Sequence, residues 1–560
     1  MPTLLHPART APRRRAPIRL RAALVAAAAA LAALPAAAQD VEMLSEITGR
    51  PLPAGYYERI RRNPHAFETR YEWRNRGAAA LRAAAGESAD LVVRGHLRMV
   101  VMPGLFADSG EPPVSAGTLH EQLFGANPLG SLTEFYHEVS GGKLTITGTV
   151  LPWVRTRFTA RQAAGRSWGL GLDGNLGWYL HQVVTELDAA VNFGQYDNDG
   201  PDNVPNSGDD DGRVDLAVFQ FAETAAPCGN DDSLWPHRSS LYELLGLPYT
   251  TNDTTPGGDP VLLDDYHIGS AVNCDGTPQS IAPIAHETGH AFGLPDLYDA
   301  AGLLLSPGER RWVLGCWTLM AAGAWGCGDG TTFAARAIPP HMGPWEKKEL
   351  GWVEPRVSQP GWRREYVLRP VQGSGDVLQV PLADTHEYLL LEYRPRTGFD
   401  RGLPAGGVLV YHVESTRPFA RGCITCFPTY RVSLVEADGD SALLKRPVDG
   451  GNRGVAGDVF DGRRTLSDFT RPWIRWNTGP RSNVHLEMEV ADGVARIRVS
   501  TPPVVARAAL VAPLLGSAGE PLSADERAAL DLFGNRSGGY DMGDLRAYMR
   551  IRPATVLPAP

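Results

Sequence analysis

His286 and His290 stand four residues apart, with Glu287 beside the first. On a helix that spacing stacks the two imidazoles on one face, about one turn apart, so both reach a single Zn²⁺. Glu287 is then placed to act as a base toward water at that metal. In a chain of 560 residues with 14 histidines this five-residue core is only moderately specific, so its surroundings must support it. Gly293 comes three residues after the second histidine, where a helix must stop and turn back, and glycine tolerates the positive φ of such a turn. Pro295 forbids helical continuation. Asp296 adds a hard oxygen donor, giving His286, His290 and Asp296 with one coordination position left open. That count belongs to a catalytic zinc, since a structural site is closed by four protein ligands. Asp299 is close enough to rival Asp296 as third ligand. The apolar neighbours Ile281, Ile284, Ala285 and Phe292 mark the segment as buried.

The elements needed to position these groups bring a family into view. The pattern His-Glu-x-x-His-x-x-Gly-x-x-Asp resembles the metzincin clan of zinc peptidases in its aspartate-bearing form. The run His290-Ala-Phe-Gly-Leu-Pro-Asp-Leu-Tyr-Asp299 is more specifically similar to the immune-inhibitor-A-like secreted metallopeptidases. The resemblance implies a methionine in a tight turn beneath the metal, and Met320, flanked by small residues in Thr318–Gly326, fits that role better than Met342 among Pro339, Pro340 and Pro344. Ala322 stands where some metzincins carry an auxiliary tyrosine ligand, so no such ligand is expected and the oxyanion stabiliser is unassigned. Glu134–Leu144, with Tyr136 and Ser140-Gly-Gly-Lys-Leu144, and the closing segment Gly343–Val353 are also similar to the family, which covers about 95–355 well and much of 356–500 loosely.

Asp197-Asn-Asp199-Gly precedes Asp209-Asp-Asp211-Gly-Arg-Val-Asp215. Acids at alternate positions beside a glycine turn offer several oxygens to one hard cation, so Asp197, Asp199, Asp209, Asp211 and Asp215 are expected calcium ligands. The family usually has one compact run; here the insertion 201–208 divides it, and the ligands converge only if it loops out. Asp438, Asp440 and Asp458 could make another calcium site but are read as turn residues, and His412 as a structural histidine.

Composition narrows the remaining choices. Arginines at 13, 14, 15, 19 and 21, the apolar run 22–34 and Ala36-Ala37-Ala38 read as a signal peptide over 1–38, with an apolar run too short to span a bilayer. No other segment is long and apolar enough to do so. Six arginines and no acids lie in 1–38, so its loss moves the formal charge from −9 to −15. Such acidity argues against nucleic acid as partner and favours divalent cations. Six cysteines in an exported chain suggest up to three disulfides. Cys316–Cys327 would close a loop around Met320, Cys423 and Cys426 would pair locally, and Cys228–Cys274 would remain, though sequence alone does not fix the pairing.

The expected architecture is multidomain α+β. A probable pro-segment (39–92) precedes a metzincin-like zinc peptidase domain (93–355), a β-sandwich (356–500), and a linker with a degenerate dockerin- or EF-hand-like tail (501–560). Short strands near 377–380, 388–393, 408–413 and 432–435 and the alternating hairpin around Asp492-Gly493 carry the sandwich reading. In the tail, Asn535, Ser537, Asp541 and Asp544 fall at calcium-ligand positions, but the first position is Phe533, which cannot bind. The functional expectation is a secreted zinc endopeptidase with Glu287 as general base, acting on protein or peptide substrates, with calcium as a second ion and a protein or cell-surface partner for the tail. A non-catalytic exported binding protein with a vestigial zinc site, or a hydrolase of a non-protein polymer, are the rival classes.

Overall fold

The computed structural model describes residues 39–70, 93–200, 202–299, 310–327, 338–382, 386–417, 429–474, 481–516 and 521–551. The signal-peptide reading, residues 71–92 of the pro-segment and the Cys423/Cys426 pair lie outside these residues. The chain is mixed α/β with several sheets.

The apolar run beginning at Leu97 extends into a long central strand, β1 (Gly95–Leu105), buried along most of its length. It is the axis of a six-stranded sheet. β2 (Leu144–Val150) and β3 (Val154–Arg155) pair parallel with it on one side, and β4 (Ala217–Phe221) on the other. The edge is made by β5 (His237–Ser240), which runs antiparallel to the last strand of the sheet. A short hairpin, β6 (Tyr249–Thr254) and β7 (Pro260–Leu263), precedes that last strand, β8 (Asp265–Ser270), which lies between β4 and β5. One antiparallel edge on an otherwise parallel sheet is common in mixed sheets.

Two helices, α1 (Gln39–Thr48) and α2 (Ala54–Arg62), form a satellite cluster in which Tyr56, Ile60 and Phe67 pack on Leu170 and Trp235. Helix α3 (Ala116–Phe124) leads to α4 (Leu132–Val139), whose start is set by a capping box between Ser131 and Glu134. Helix α5 (Leu176–Asp188) covers the other face of the sheet through Tyr179, Leu180, Val183 and Val184. Helix α6 (Ala282–Ala291) carries the two histidines, and α7 (Pro344–Glu349) follows the methionine segment.

Downstream, β9 (Arg356–Val357) and β10 (Arg364–Leu368) open two further sheets. The first sheet orders β9 with β11 (Val377–Pro381), β12 (Glu387–Arg394), β13 (Gly407–Glu414) and β14 (Val432–Leu434). The second joins β10 to β15 (Arg463–Ser467), β16 (His485–Ala491) and β17 (Val494–Ser500). The β16–β17 hairpin turns at Asp492-Gly493, both with positive φ (53° and 74°), as a two-residue loop of that composition requires. Strand periodicity explains the layering. Leu390, Leu409, Tyr411 and Val413 join the core that contains Ile284 and Met320. Their alternating neighbours Leu389, Leu391, Val408 and Val410 join a second core with Leu486, Met488 and Ile497. The five-stranded sheet is thus buried on both faces, and the apolar core runs across residue 355 without a break.

The tail comprises α8 (Arg507–Leu515), α9 (Ala524–Phe533) and α10 (Met542–Ile551). Asp541 accepts from Asn535 Nδ2 (2.8 Å) and Ser537 Oγ (2.9 Å), and buried Asp544 accepts the backbone N–H groups of Asn535 and Asp541. The loop carboxylates are therefore partnered by protein donors. Among the described residues two disulfides form, Cys228–Cys274 and Cys316–Cys327. No helix among the described residues is long and apolar enough to cross a membrane.

Candidate active site and metal centre

Helix α6 ends in a hydrogen-bonding pattern that builds half of the site. Gly293 adopts φ 86°, its N–H donates to His290 O (2.8 Å), and Leu294 N–H donates to Gly289 O (3.1 Å). This is a Schellman turn, which needs a left-handed residue where Gly293 stands. The same turn aims Leu294 O at His290, whose Nδ1 donates to it at 2.7 Å. His286 Nδ1 donates to Leu319 O at 2.8 Å. With each Nδ1 carrying its proton, both Nε2 atoms present lone pairs inward.

Asp296 arrives on the returning chain, held by a bond from Leu297 N–H to Met320 O (2.7 Å). Its Oδ1 lies 3.0 Å from His286 Nε2 and 3.4 Å from His290 Nε2, and the two Nε2 atoms are 3.0 Å apart. All three side chains are buried, and neither Asp296 oxygen makes an oriented hydrogen bond. Burial pushes the Asp296 carboxyl up, but the two imidazoles pull it further down, below the usual carboxylate range. Burial, then Arg238, lowers His290 to about 4, so its imidazole is neutral. With both Nδ1 protons directed at carbonyls, the two Nε2 atoms and the Asp296 carboxylate form a donor set that suits a cation. Zinc bonds of about 2.0–2.1 Å in tetrahedral geometry place ligand atoms roughly 3.3 Å apart, so the residues fit zinc.

Met320 is fully buried below α6, and a Cβ built on Gly289 would lie 2.5 Å from its Sδ. Glycine at 289 is therefore what lets the methionine turn approach the helix. The Trp325 ring meets His286 edge to face at 5.0 Å. Glu287 is 6 % exposed; its Oε1 has no hydrogen-bond partner and its Oε2 lies 3.4 Å from Arg238 Nη1. Asp299 is occupied elsewhere, accepting from Tyr430 OH at 2.6 Å and lying 3.7 Å from Arg311.

Several contacts escaped sequence reasoning. Arg238, on edge strand β5, carried no motif, yet it is the charged group next to Glu287. Tyr136 OH donates to Ala285 O (2.6 Å), and Lys143 Nζ donates to Gly351 O and Trp352 O, tying the Glu134–Leu144 segment to α6 and to the end of α7. The family likeness of that segment was the available signal. The N-terminal segment reaches the same cleft. Arg238 Nε donates to Phe67 O (3.0 Å), Ser239 Oγ donates to Ala66 O (2.6 Å), and Arg70 N–H donates to Asp265 Oδ1 (3.1 Å). Thr69 lines one small cavity with Arg238, His267 and Glu287.

A second acidic group forms where the divided loop closes. The insertion loops out, and carboxylate oxygens of Asp197, Asp199 and Asp210 come within 4.8 Å of one another. Of the expected ligands, Asp197 and Asp199 fall in this group, and Asp210 stands with them. Asp210 is turned inward by accepting the N–H groups of Gly200 (2.6 Å) and Ser207 (2.8 Å), while Asp209 faces the Ser207 hydroxyl and Asp215 accepts from Asn198 N–H. Asp197 is fully buried, its Oδ1 has no hydrogen-bond partner, and burial beside Asp210 and Asp199 raises it to about 8.

The mixed α/β fold is consistent with a peptidase domain, and comparison with known proteins points to a metallopeptidase. Residues 117–353 match the family model described as "Immune inhibitor A peptidase M6, catalytic domain". The chain is 26% identical over 208 residues to the pre-pro-metalloprotease PrtV of Vibrio cholerae serotype O1 (strain M66-2), covering 35% of this chain and 21% of that protein. It is 27% identical over 210 residues to immune inhibitor A of Bacillus thuringiensis subsp. alesti, covering 34% of this chain and 28% of the relative. The matches thus span less than a third of either relative's length.

Proposed function

We propose that this chain is an exported zinc endopeptidase acting on extracellular proteins, with Glu287 as general base. The observation that carries the reading is the convergence of His286 Nε2, His290 Nε2 and Asp296 Oδ1 at 3.0–3.4 Å, all buried. Zinc, which His286, His290 and Asp296 would hold, would lower the pKa of water toward ~7 and polarise the scissile carbonyl. Glu287 takes the proton from the attacking water and delivers it to the departing amine. Leu319 O and Leu294 O hold the imidazoles in the tautomer that presents Nε2. Met320 supports the floor of the site from below Gly289.

The finer parts of the reading follow from the same contacts. Residues 39–92 act as a pro-segment: Ala66–Arg70 runs beside β5 and Thr69 shares the cavity of Glu287, so this stretch must leave before a substrate chain can lie there. Calcium is held by Asp197, Asp199 and Asp210. The downstream sheets serve as a β-sandwich that buttresses the peptidase, and the dockerin-like tail is a docking element for a protein or cell-surface partner.

Casein hydrolysis by the chain freed of residues 39–92, with zinc quantified, tests the proposal beside Glu287→Gln. The expected result is turnover in the parent, a loss of at least roughly 10²-fold in the variant, and equal zinc in both. Undiminished hydrolysis by a zinc-loaded Glu287→Gln protein would overturn the assignment of the base.

A further inference from the structure

A third carboxylate group lies outside the peptidase site, where the downstream sheet meets the methionine segment. β14 runs into Glu436-Ala-Asp438-Gly-Asp440, acids at alternate positions with Gly439 in the left-handed region (φ 70°). Asp458 comes from a separate loop, joined to the first by a bond from Ala437 N–H to Asp458 O (3.0 Å). Oxygens of Glu436, Asp438 and Asp458 lie within 4.8 Å of one another. Glu436 is 4 % exposed and Asp458 fully buried. Asp458 Oδ2 accepts from Trp317 Nε1 (2.7 Å) and Val455 N–H (3.0 Å), but its Oδ1 is buried without a hydrogen-bond partner. Asp438 Oδ2 lies against Gly457, where a Cβ would come within 2.4 Å of it. Among the described residues, no lysine or arginine pairs with any of these acids.

We propose that Glu436, Asp438 and Asp458 hold a calcium-class divalent cation that fastens the downstream sheet to the loop carrying Met320. The donor set is oxygen only, which suits a hard cation and not zinc or copper. Acids at alternate positions around a glycine, closed by a carboxylate from elsewhere, give one ion several oxygens at once. Exposed Asp438 leaves the ion an entrance and room for water ligands. The position gives the ion a structural purpose. Glu436 accepts from Leu443 N–H (3.1 Å), Leu443 O accepts from Val313 N–H (3.0 Å), and Arg453 O accepts from Cys316 N–H (2.6 Å). The two acidic loops therefore grip residues 313–317, which lead directly into Thr318-Leu319-Met320.

The test uses the full zinc-loaded chain, stripped of calcium and titrated with Ca²⁺, with bound calcium counted and Tm followed. Asp438→Asn is exposed and Asp458→Asn keeps an acceptor for Trp317, so the two check each other for misfolding. Both are measured in the parent and in an Asp199→Asn background, which separates this group from the Asp197–Asp210 loop. Each substitution should remove one calcium equivalent in either background and shrink the Ca²⁺-dependent rise in Tm. Tb³⁺ emission sensitised through the Trp317 indole should be lost in Asp438→Asn and kept in Asp199→Asn. An unchanged calcium count in Asp438→Asn would overturn the proposal. So would a parent Tm that rises on acidification and ignores Ca²⁺, since the carboxyls would then share a proton instead of a cation. Glu287→Gln should leave all of these readouts unchanged, so failure here is separable from failure of the peptidase reading.

Discussion

Asp296 and Asp299 lie three residues apart and meet different neighbours. Asp296 faces only the two imidazole nitrogens, whereas Asp299 is bound to Tyr430 OH and set against Arg311. Asp296→Ala should therefore weaken zinc binding by more than the ~10–100-fold typical of a change outside the ligand set. Asp299→Asn should keep zinc and cost about 1–3 kcal/mol of stability, because a buried hydroxyl loses its charged acceptor. Zinc titration and denaturant unfolding of the two variants check both arms, and the reverse pattern would make Asp299 the ligand. At this scale the legible part of the site was what helical spacing dictates: His286, Glu287 and His290 follow from a fixed rise and turn. The acidic loop was legible only as composition. Whether Asp209 or Asp210 turns inward depends on which carboxylate captures the Gly200 and Ser207 N–H groups, and no residue pattern states that.

Helix α6 shows how one element sets the distances of a site. Its C-terminal turn fixes His290, its Pro283 sits in the first turn where no N–H partner is lost, and its Gly289 admits Met320. Gly289→Ala would gain up to about 1 kcal/mol of helix propensity. A Cβ 2.5 Å from Met320 Sδ forces that side chain or the helix to move, and overpacking of this kind costs about 1–3 kcal/mol. The clash outweighs the propensity, so we expect a lower Tm together with weaker zinc binding, since Leu319 O moves with Met320. Restoration of both by the double change Gly289→Ala with Met320→Ala would identify the contact as the cause. Unaltered zinc affinity in Gly289→Ala would show the turn and the helix to be uncoupled. An element with a local signal, the β16–β17 hairpin, was readable from sequence through Asp492-Gly493. β10 was not, because Arg364–Leu368 alternates weakly and becomes a strand only by pairing with β17. Val214 N–H goes to Leu262 O, so β4 starts only at Ala217.

At the scale of the whole molecule, a buried polar layer joins the peptidase site to the sheet beneath it. Arg394 and Asp400 are 1 % and 0 % exposed and form a bidentate pair in which Arg394 Nε donates to Asp400 Oδ2 at 3.0 Å. Arg394 Nη1 also donates to Trp317 O, and Asp400 accepts from His341 N–H (3.0 Å) and Gln372 Nε2 (2.8 Å). One guanidinium on β12 therefore holds the backbone two residues before Leu319, the carbonyl partner of His286. Burying such a pair gains little net energy against an apolar replacement, but removing one member leaves an uncompensated charge at about 3–5 kcal/mol. Asp400→Ala should accordingly lower stability by that amount. Because the apolar core and this layer both cross residue 355, the loss should appear in one transition. The zinc site and the downstream sheet should melt together, read by zinc release and by far-ultraviolet circular dichroism on a single heating curve. Arg394→Met with Asp400→Leu should recover most of the stability while leaving zinc binding weaker than in the parent, since the grip on Trp317 O is gone. Two separated transitions in the parent would instead mean that the sheet is an independent domain resting on the peptidase, and the coupling from β12 to His286 would fail with it.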